Sequence, residues 1–77
     1  MEKELFTEQV QVERKLLTFN LRENPRGRFL RVTEDVGGRR DTIIIPAAGL
    51  EQVRDIIERA VVADKKSGPF DAASAQP

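Results

Sequence analysis

The residues best suited to chemistry in this chain are arginines, and they are concentrated between residues 14 and 40. That segment holds eight basic residues against three acidic ones, a local balance of +5, and seven of the eight are arginine. A guanidinium group binds phosphate oxygens through paired hydrogen bonds and stacks on flat rings. The remaining residues include five basic and ten acidic ones, so the net charge of zero is a cancellation between regions. The distribution favours a polyanionic partner, although the sum argues against one.

Most other kinds of functional site lack the residues they need. The chain has no cysteine and no histidine, which excludes thiol nucleophiles, disulfides and metal sites built on those ligands. Catalysis would depend on Ser, Thr, Lys, Asp or Glu alone, and both serines, Ser67 and Ser74, lie near the C-terminus. The adjacent acids Glu34 and Asp35 have no coordination shell around them in the sequence, so they are best interpreted as surface charges. We expect no enzyme, no metal and no cofactor.

Hydrophobic alternation with a period of two predicts four strands. The first begins near Phe6 and runs through Val12, the second covers 17–22, the third about 28–34 and the fourth 40–45, closed by Pro46. Asn24-Pro25-Arg26-Gly27 has the composition of a hairpin turn. The sequence Gly37-Gly38 is consistent either with a loop between strands or with a backbone nest that binds phosphate.

From about Ala47 the period changes to that of a helix. Leu50, Val53, Ile56, Ile57, Ala60 and Val61 form one apolar stripe. After Asp64 the composition is too poor in large apolar groups to offset the entropy of ordering. We therefore expect a flexible N-terminus over 1–4, a folded unit over 5–63 and a disordered tail over 64–77.

These elements predict an α+β fold, a four-stranded antiparallel meander followed by one helix that covers one face of the sheet. The face to be covered carries Val10, Val12, Leu17, Phe19, Leu21, Leu30, Val32, Ile43 and Ile45. About 60 ordered residues bury little surface, and one helix hardly shields such a sheet. We therefore expect a second chain to complete the fold as a homodimer.

The opposite face of the predicted sheet is the candidate binding surface. By strand parity it carries Asn20, Arg22, Phe29 and Arg31. Arginines beside an aromatic ring suit single-stranded nucleic acid, because the charges follow the backbone and the ring stacks on a base. Two other interpretations of Phe29 stay open: the turn shifts the register, or the ring packs on the tail or a second subunit. The arginines, likewise, could form a merely solvated face.

The string from Phe19 to Val32, FNLRENPRGRFLRV, resembles the PUR repeat of the Pur-alpha-like, purine-rich-element-binding proteins. In that family a strand ending in a basic residue leads through Asn and a basic-Gly-basic-Phe turn into an aliphatic strand. The similarity continues through Glu34, the Gly-Gly-Arg-Arg loop and the helical segment 53–55. It covers about residues 5–62, and the combined spacing is more specific than any one piece.

The resemblance implies a β-β-β-β-α fold in which two repeats interlock. A chain with one repeat looks like the bacterial single-repeat members, which assemble as homodimers. The family binds single-stranded DNA and RNA, often rich in guanine, and some members bind duplex DNA or act as regulators. Lys15 matches the basic residue between the first two strands, Arg22, Asn24 and Arg26 match contacts around the hairpin, and Phe29 matches the stacking aromatic.

Composition, parity and resemblance together give one set of expected nucleic-acid contacts: Lys15, Asn20, Arg22, Asn24, Arg26, Arg28, Phe29 and Arg31. The departure from the family pattern is Glu13-Arg14, where many members have uncharged polar residues and where Glu13 would repel a phosphate. We expect a cytoplasmic, regulatory protein with no membrane partner, which binds single-stranded DNA or RNA. The alternative is a protein-interaction or dimerisation module whose sheet face docks an acidic protein.

Overall fold

Four strands and one helix follow one another along the chain in the computed structural model, which describes residues 1–70. They are β1 (Lys3–Val12), β2 (Lys15–Asn24), β3 (Gly27–Val36), β4 (Arg39–Pro46) and, after a 3₁₀ turn at Ala47–Gly49, α1 (Leu50–Lys66). Each strand pairs antiparallel with the next, giving the sheet order β1-β2-β3-β4. The predicted α+β meander followed by one helix is confirmed.

Both ends of the folded unit extend further than the hydrophobic pattern predicted. β1 begins at Lys3, inside the stretch expected to be flexible. The helix continues to Lys66, so 64–66 are helical rather than part of a tail. Lys65 and Lys66 lie in the last turn, where positive charge stabilises the carboxyl end of a helix. The predicted disorder of 71–77 falls outside the described residues.

The three hairpins have two-residue turns, which fix the register of the sheet. Val12 pairs with Lys15, Asn24 with Gly27, and Val36 with Arg39. Gly37 and Gly38 have φ of 59° and 89°, the double left-handed conformation that a tight turn between twisted strands requires. This pair is therefore the turn of a hairpin, which was one of its two predicted roles.

The register sorts the side chains of the sheet into two faces. One, called here the apolar face, carries Phe6 and the nine residues predicted for it: Val10, Val12, Leu17, Phe19, Leu21, Leu30, Val32, Ile43 and Ile45. The other is called the polar face. The alternation of the sequence thus gave the composition of both faces correctly.

The prediction that α1 covers the apolar face of its own sheet was wrong. The helix packs mainly against the 3₁₀ turn before it, and no strand makes comparable contact with it. Ile43 on the sheet is 59% exposed and Ile57 on the helix 57% exposed. No hydrophobic side chain within residues 1–70 is buried. An apolar stripe shows that a helix face is suited to burial, but it does not say against which surface.

The overall dimensions show the same open arrangement. The radius of gyration is 15.8 Å, whereas a compact chain of this length would have about 11 Å. The chain leaves β4 at Pro46 and enters the 3₁₀ turn and the helix directly, without a loop that turns it back over the sheet. The sheet and the helix are therefore two surfaces joined at one corner.

Candidate nucleic-acid interface

The polar face is organised in rows that run across the four strands. The row nearest the β2–β3 hairpin is Glu4, Arg22, Phe29 and Pro46. The next is Thr7, Asn20, Arg31 and Ile44, and beyond it lies Gln9, Thr18, Thr33 and Thr42. The predicted shared face of Asn20, Arg22, Phe29 and Arg31 is confirmed, and these four residues fill the centre of two adjacent rows.

Asn20 is the only buried residue in the part of the chain that the structure describes, with 8% of its surface exposed. Its Nδ2 donates a hydrogen bond to the carbonyl oxygen of Phe6 at 3.1 Å. Its Oδ1 accepts one from Nη1 of Arg22 at 2.9 Å. Both ends of the carboxamide thus have partners inside the chain, and Asn20 holds the guanidinium group of Arg22 in position.

A β-bulge in β1 lies beside this amide. Phe6 pairs with Leu21 and Glu4 with Arg22, which leaves Leu5 as an extra residue with no partner on β2. An inserted residue reverses the side-chain alternation of the strand beyond it. Without it, Glu4 would fall on the apolar face. With it, Glu4 stands on the polar face, directly opposite Arg22.

The N-terminal carboxylates consequently meet the arginine pair, defined here as Arg22 and Arg31. Oε1 of Glu2 lies 2.6 Å from Nε of Arg22 and 3.8 Å from Nη2 of Arg31. Oε1 of Glu4 lies 3.7 Å from Nη1 of Arg22. The side chain of Arg22 is 21% exposed and that of Arg31 40% exposed. Both arginines are therefore reachable from solvent and already in contact with carboxylate oxygens.

Phe29 stands beside the arginine pair on the polar face. It pairs with Arg22 on β2 and with Pro46 on β4, and it is half-buried. This pairing excludes the shifted register that was one interpretation of Phe29. A flat ring next to two guanidinium groups is a surface on which a base can stack while its phosphates meet the charges.

The hairpin tip holds two more of the predicted contacts. Oδ1 of Asn24 accepts a hydrogen bond from the backbone N–H of Arg26 at 2.8 Å, so this oxygen stabilises the turn. The Nδ2 group of Asn24 remains available as a donor. Arg26 is exposed in the turn itself, three residues before Phe29.

Lys15 and Arg28 lie elsewhere. The register places both on the side of the apolar face. Nζ of Lys15 is 2.8 Å from Oε2 of Glu34, and the hydrogen bond to that carboxylate and its charge raise the pKa of Lys15 above the ordinary 10.5. Lys15 is also seven residues from Arg22 along β2, roughly 23 Å. The structure therefore does not bring Lys15 together with the polar-face residues.

Arg28 forms a similar pair at the hairpin end. Its Nε donates to Oε1 of Glu23 at 2.7 Å. This hydrogen bond, together with the positive charge of Arg28, lowers the pKa of Glu23 below the ordinary 4.5. Strand parity already separates Arg28 from its neighbour Phe29, so the sequence contained the signal for this placement.

Sequence reasoning missed Glu2 and Glu4 as members of the site. They belong to a stretch interpreted as flexible, and regular alternation would put them on the other face. The signal was the adjacent apolar pair Leu5-Phe6, which breaks the alternation at the bulge.

Within residues 1–70 no group of three or more His, Cys, Asp or Glu side chains could hold a metal ion. In the same range no helix has the length and apolar character needed to cross a membrane.

The fold and this face define a class of protein, in which a four-stranded antiparallel sheet presents arginines and an aromatic ring side by side on its polar face. The family described as PurA ssDNA and RNA-binding protein matches residues 1–72. Over 53 residues the chain is 45% identical to "Transcription factor Pur-alpha 1" of Arabidopsis thaliana, a match covering 69% of this chain and 18% of that protein. The chain therefore belongs to the PurA family, a family of nucleic-acid-binding proteins, and the resemblance of its FNLRENPRGRFLRV string is confirmed. It spans less than a fifth of the length of the Arabidopsis relative.

Proposed function

We propose that this chain binds single-stranded DNA or RNA on its polar face, with the arginine pair on backbone phosphates and Phe29 stacked on a base. The observation that supports this most strongly is the register, which sets an aromatic ring and two guanidinium groups side by side on a face that the helix leaves free. Extended single strands expose both their phosphates and the flat faces of their bases, which a paired duplex does not.

Each side chain has a distinct task in this proposal. Arg22 and Arg31 each donate hydrogen bonds to phosphate oxygens, and Asn20 holds Arg22 in place from below. Phe29 supplies stacking, which depends little on which base is present. Arg26 and the free Nδ2 group of Asn24 extend the contact surface to the hairpin tip. Lys15 and Arg28 lie outside this surface.

A titration with labelled oligonucleotides tests the proposal. We expect wild-type protein to bind a G-rich single strand, and we compare an unrelated single strand and the duplex beside it. The double variant Arg22→Gln/Arg31→Gln should bind at least about tenfold more weakly, since each charged hydrogen bond contributes roughly 1.5–3 kcal/mol. The control Arg54→Gln/Arg59→Gln removes the same charge from the helix and should bind nearly as wild type. Equal losses in both variants would refute the role of the arginine pair.

The salt dependence of the same titration counts the phosphate contacts. For single strands the slope of log affinity against log salt is about −0.7 per neutralised phosphate. The Arg22→Gln/Arg31→Gln variant should therefore have a slope shallower by about 0.7, the contribution of the one phosphate that the two arginines share. A slope that does not change would mean that these arginines meet no phosphate.

We also propose that the chain functions as a homodimer in which the apolar face and the helix stripe are covered by a second copy. The uncovered Ile43 and Ile57 support this, because a folded chain with no buried hydrophobic side chain in its described part cannot be stable alone. β1 is exposed along its whole length, and an open edge strand is a further place where a second chain can pair. Sedimentation of the full chain over a range of concentrations tests this proposal.

The proposal extends to the nucleic acid that the chain prefers and to its biological role. We propose a G-rich single-stranded target and a regulatory role, for which the printed name of the Arabidopsis relative, a transcription factor, is the support. The three arms of the titration compare G-rich strand, unrelated strand and duplex directly. Equal affinity for all three would remove the sequence preference and leave the binding itself intact.

A further inference from the structure

We propose that the arginine pair is one phosphate subsite, which the carboxylates of Glu2 and Glu4 occupy in the free protein and which a nucleic-acid phosphate must take from them. The proposal rests on the proposed function of the polar face. It adds a competitor carried by the chain itself, at the start of β1.

The geometry shows where the ligand oxygen would sit. One atom, Oε1 of Glu2, contacts Nε of Arg22 at 2.6 Å and lies 3.8 Å from Nη2 of Arg31. A phosphate oxygen at the same point would accept a hydrogen bond from Arg22 and lie within ion-pair distance of Arg31, since carboxylate and phosphate oxygens make the same kind of charged contact to arginine. The arginines come from neighbouring strands and lie diagonal to each other in adjacent rows, so their spacing is set by the sheet.

The contact between Glu4 and Arg22 depends on the β-bulge in β1. Without the extra residue Leu5, the register would turn Glu4 toward the apolar face. The carbonyl oxygen of Phe6, next to the bulge, is held by the buried amide of Asn20, whose other end holds Arg22. The same amide therefore stabilises both the strand that carries the acids and the arginine that receives them.

The competitor is suited to displacement. Glu2 and Glu4 are exposed, with 41% and 52% of their side chains accessible, so water solvates each carboxylate as soon as it leaves. Exposed ion pairs are weak and are screened by salt. A phosphate group brings more oxygens and more charge to the same two arginines, and the neighbouring stacked base holds it in place.

The decisive experiment removes the two carboxylates. Glu2→Gln/Glu4→Gln should tighten binding of the G-rich single strand about three- to tenfold at low salt, and the gain should shrink as salt rises. The control Glu51→Gln/Glu58→Gln removes the same charge from the helix and should change affinity less than twofold. Equal gains in both variants would overturn the inference, as would weaker binding by Glu2→Gln/Glu4→Gln.

A double-mutant cycle makes the test local. In the Arg22→Gln/Arg31→Gln background, removing the two carboxylates should bring no gain, because the groups they compete for are absent. A gain of the same size in that background would show a general charge effect and refute the shared subsite. If the folded wild-type chain binds no single strand, the proposed function fails. If the chain binds but removing the two carboxylates brings no local gain, only the competitor proposal fails.

Occupancy in the free protein has its own readout. The Nε–H signal of Arg22 in a ¹H–¹⁵N NMR spectrum should move in Glu2→Gln without any nucleic acid present, and it should stay in place in Glu51→Gln. An Arg22 signal that is the same in both variants would overturn the inference whatever the binding data show.

Discussion

The two faces of this sheet carry residues of similar regularity, but only one of them is completed by the chain itself. On the polar face a buried amide, an ion-paired arginine and a row of hydroxyl and amide groups bond to one another, as in the 3.0 Å contact from Gln9 to Thr18. On the apolar face and on the helix stripe, large hydrophobic side chains remain exposed. The chain therefore satisfies the polar groups of its candidate site and leaves its large hydrophobic side chains exposed.

This difference follows from the range of the forces involved. Hydrogen bonds and ion pairs between neighbouring strands are made as soon as the hairpins form. Burial of apolar area needs two surfaces, and one sheet with one outlying helix provides two halves that do not meet. Variants on each surface test this contrast between the polar face, whose side chains bond within the chain, and the apolar face and helix stripe, which stay uncovered.

The largest effect is expected on the uncovered helix stripe. Ile57→Glu places a charge on the exposed helix stripe, and if a second copy covers that stripe the dimer should lose about 3–5 kcal/mol, the usual penalty of an unpaired buried charge. Sedimentation and thermal unfolding at several protein concentrations measure it. Arg59→Glu introduces the same residue on the solvated side of the helix and is the control. If Ile57→Glu costs no more than Arg59→Glu, the stripe is not buried in the assembly.

On the polar face the largest effect should come from Asn20. Asn20→Ala leaves the Phe6 carbonyl oxygen without its donor and frees Arg22, so the free energy of unfolding should fall by about 1–3 kcal/mol. Denaturant unfolding at one fixed protein concentration measures this change. Binding should weaken too, because Arg22 loses the group that holds it in position. Thr18→Ala, one row away, should have a smaller effect on both; equal effects would deny Asn20 its special position.

Replacing Phe29 should weaken binding of single strands while the fold is kept. Phe29→Ala should cost about 1–3 kcal/mol in affinity for single strands, the usual contribution of one stacked base. The control is Phe70→Ala, which removes an aromatic ring that is 82% exposed and lies outside the sheet. Fluorescence titration measures both variants, with circular dichroism to confirm the fold. Unchanged affinity in Phe29→Ala would remove the ring from the interface.

The smallest effect concerns the pair at the edge of the apolar face. Because Arg28 lowers the pKa of Glu23, this carboxylate should stay ionised as pH falls through 4.5 and should protonate only at lower pH. The pair therefore contributes stability above 4.5 and loses it as pH falls through the lowered pKa. In Arg28→Gln the midpoint, followed by carboxyl ¹³C NMR, should rise toward 4.5. Arg26→Gln, two residues away at the hairpin tip, should leave it unchanged.

Much of this structure could be predicted from the sequence, and the reasons are local. Alternation at Leu17, Phe19 and Leu21 predicted a strand and its apolar side, and Pro46 with the change of period predicted the start of the helical region. Parity alone put Arg22, Phe29 and Arg31 on one face. The family followed from the spacing of residues within and beside one hairpin, which is also a local property.

The rest depended on contacts between residues distant in sequence. A single inserted residue at Leu5 reverses the side of every residue before it, so Glu2 and Glu4 reach the arginine pair only once β1 has paired with β2. The burial of Asn20 depends on the same pairing. An amphipathic stripe shows which side of a helix is suited to burial, but not which surface covers it. The direction of α1 is set instead by the geometry of the turn after Pro46. The sequence by itself determined the elements, their faces and the family, and the tertiary structure decided which charges meet and which apolar surfaces stay uncovered.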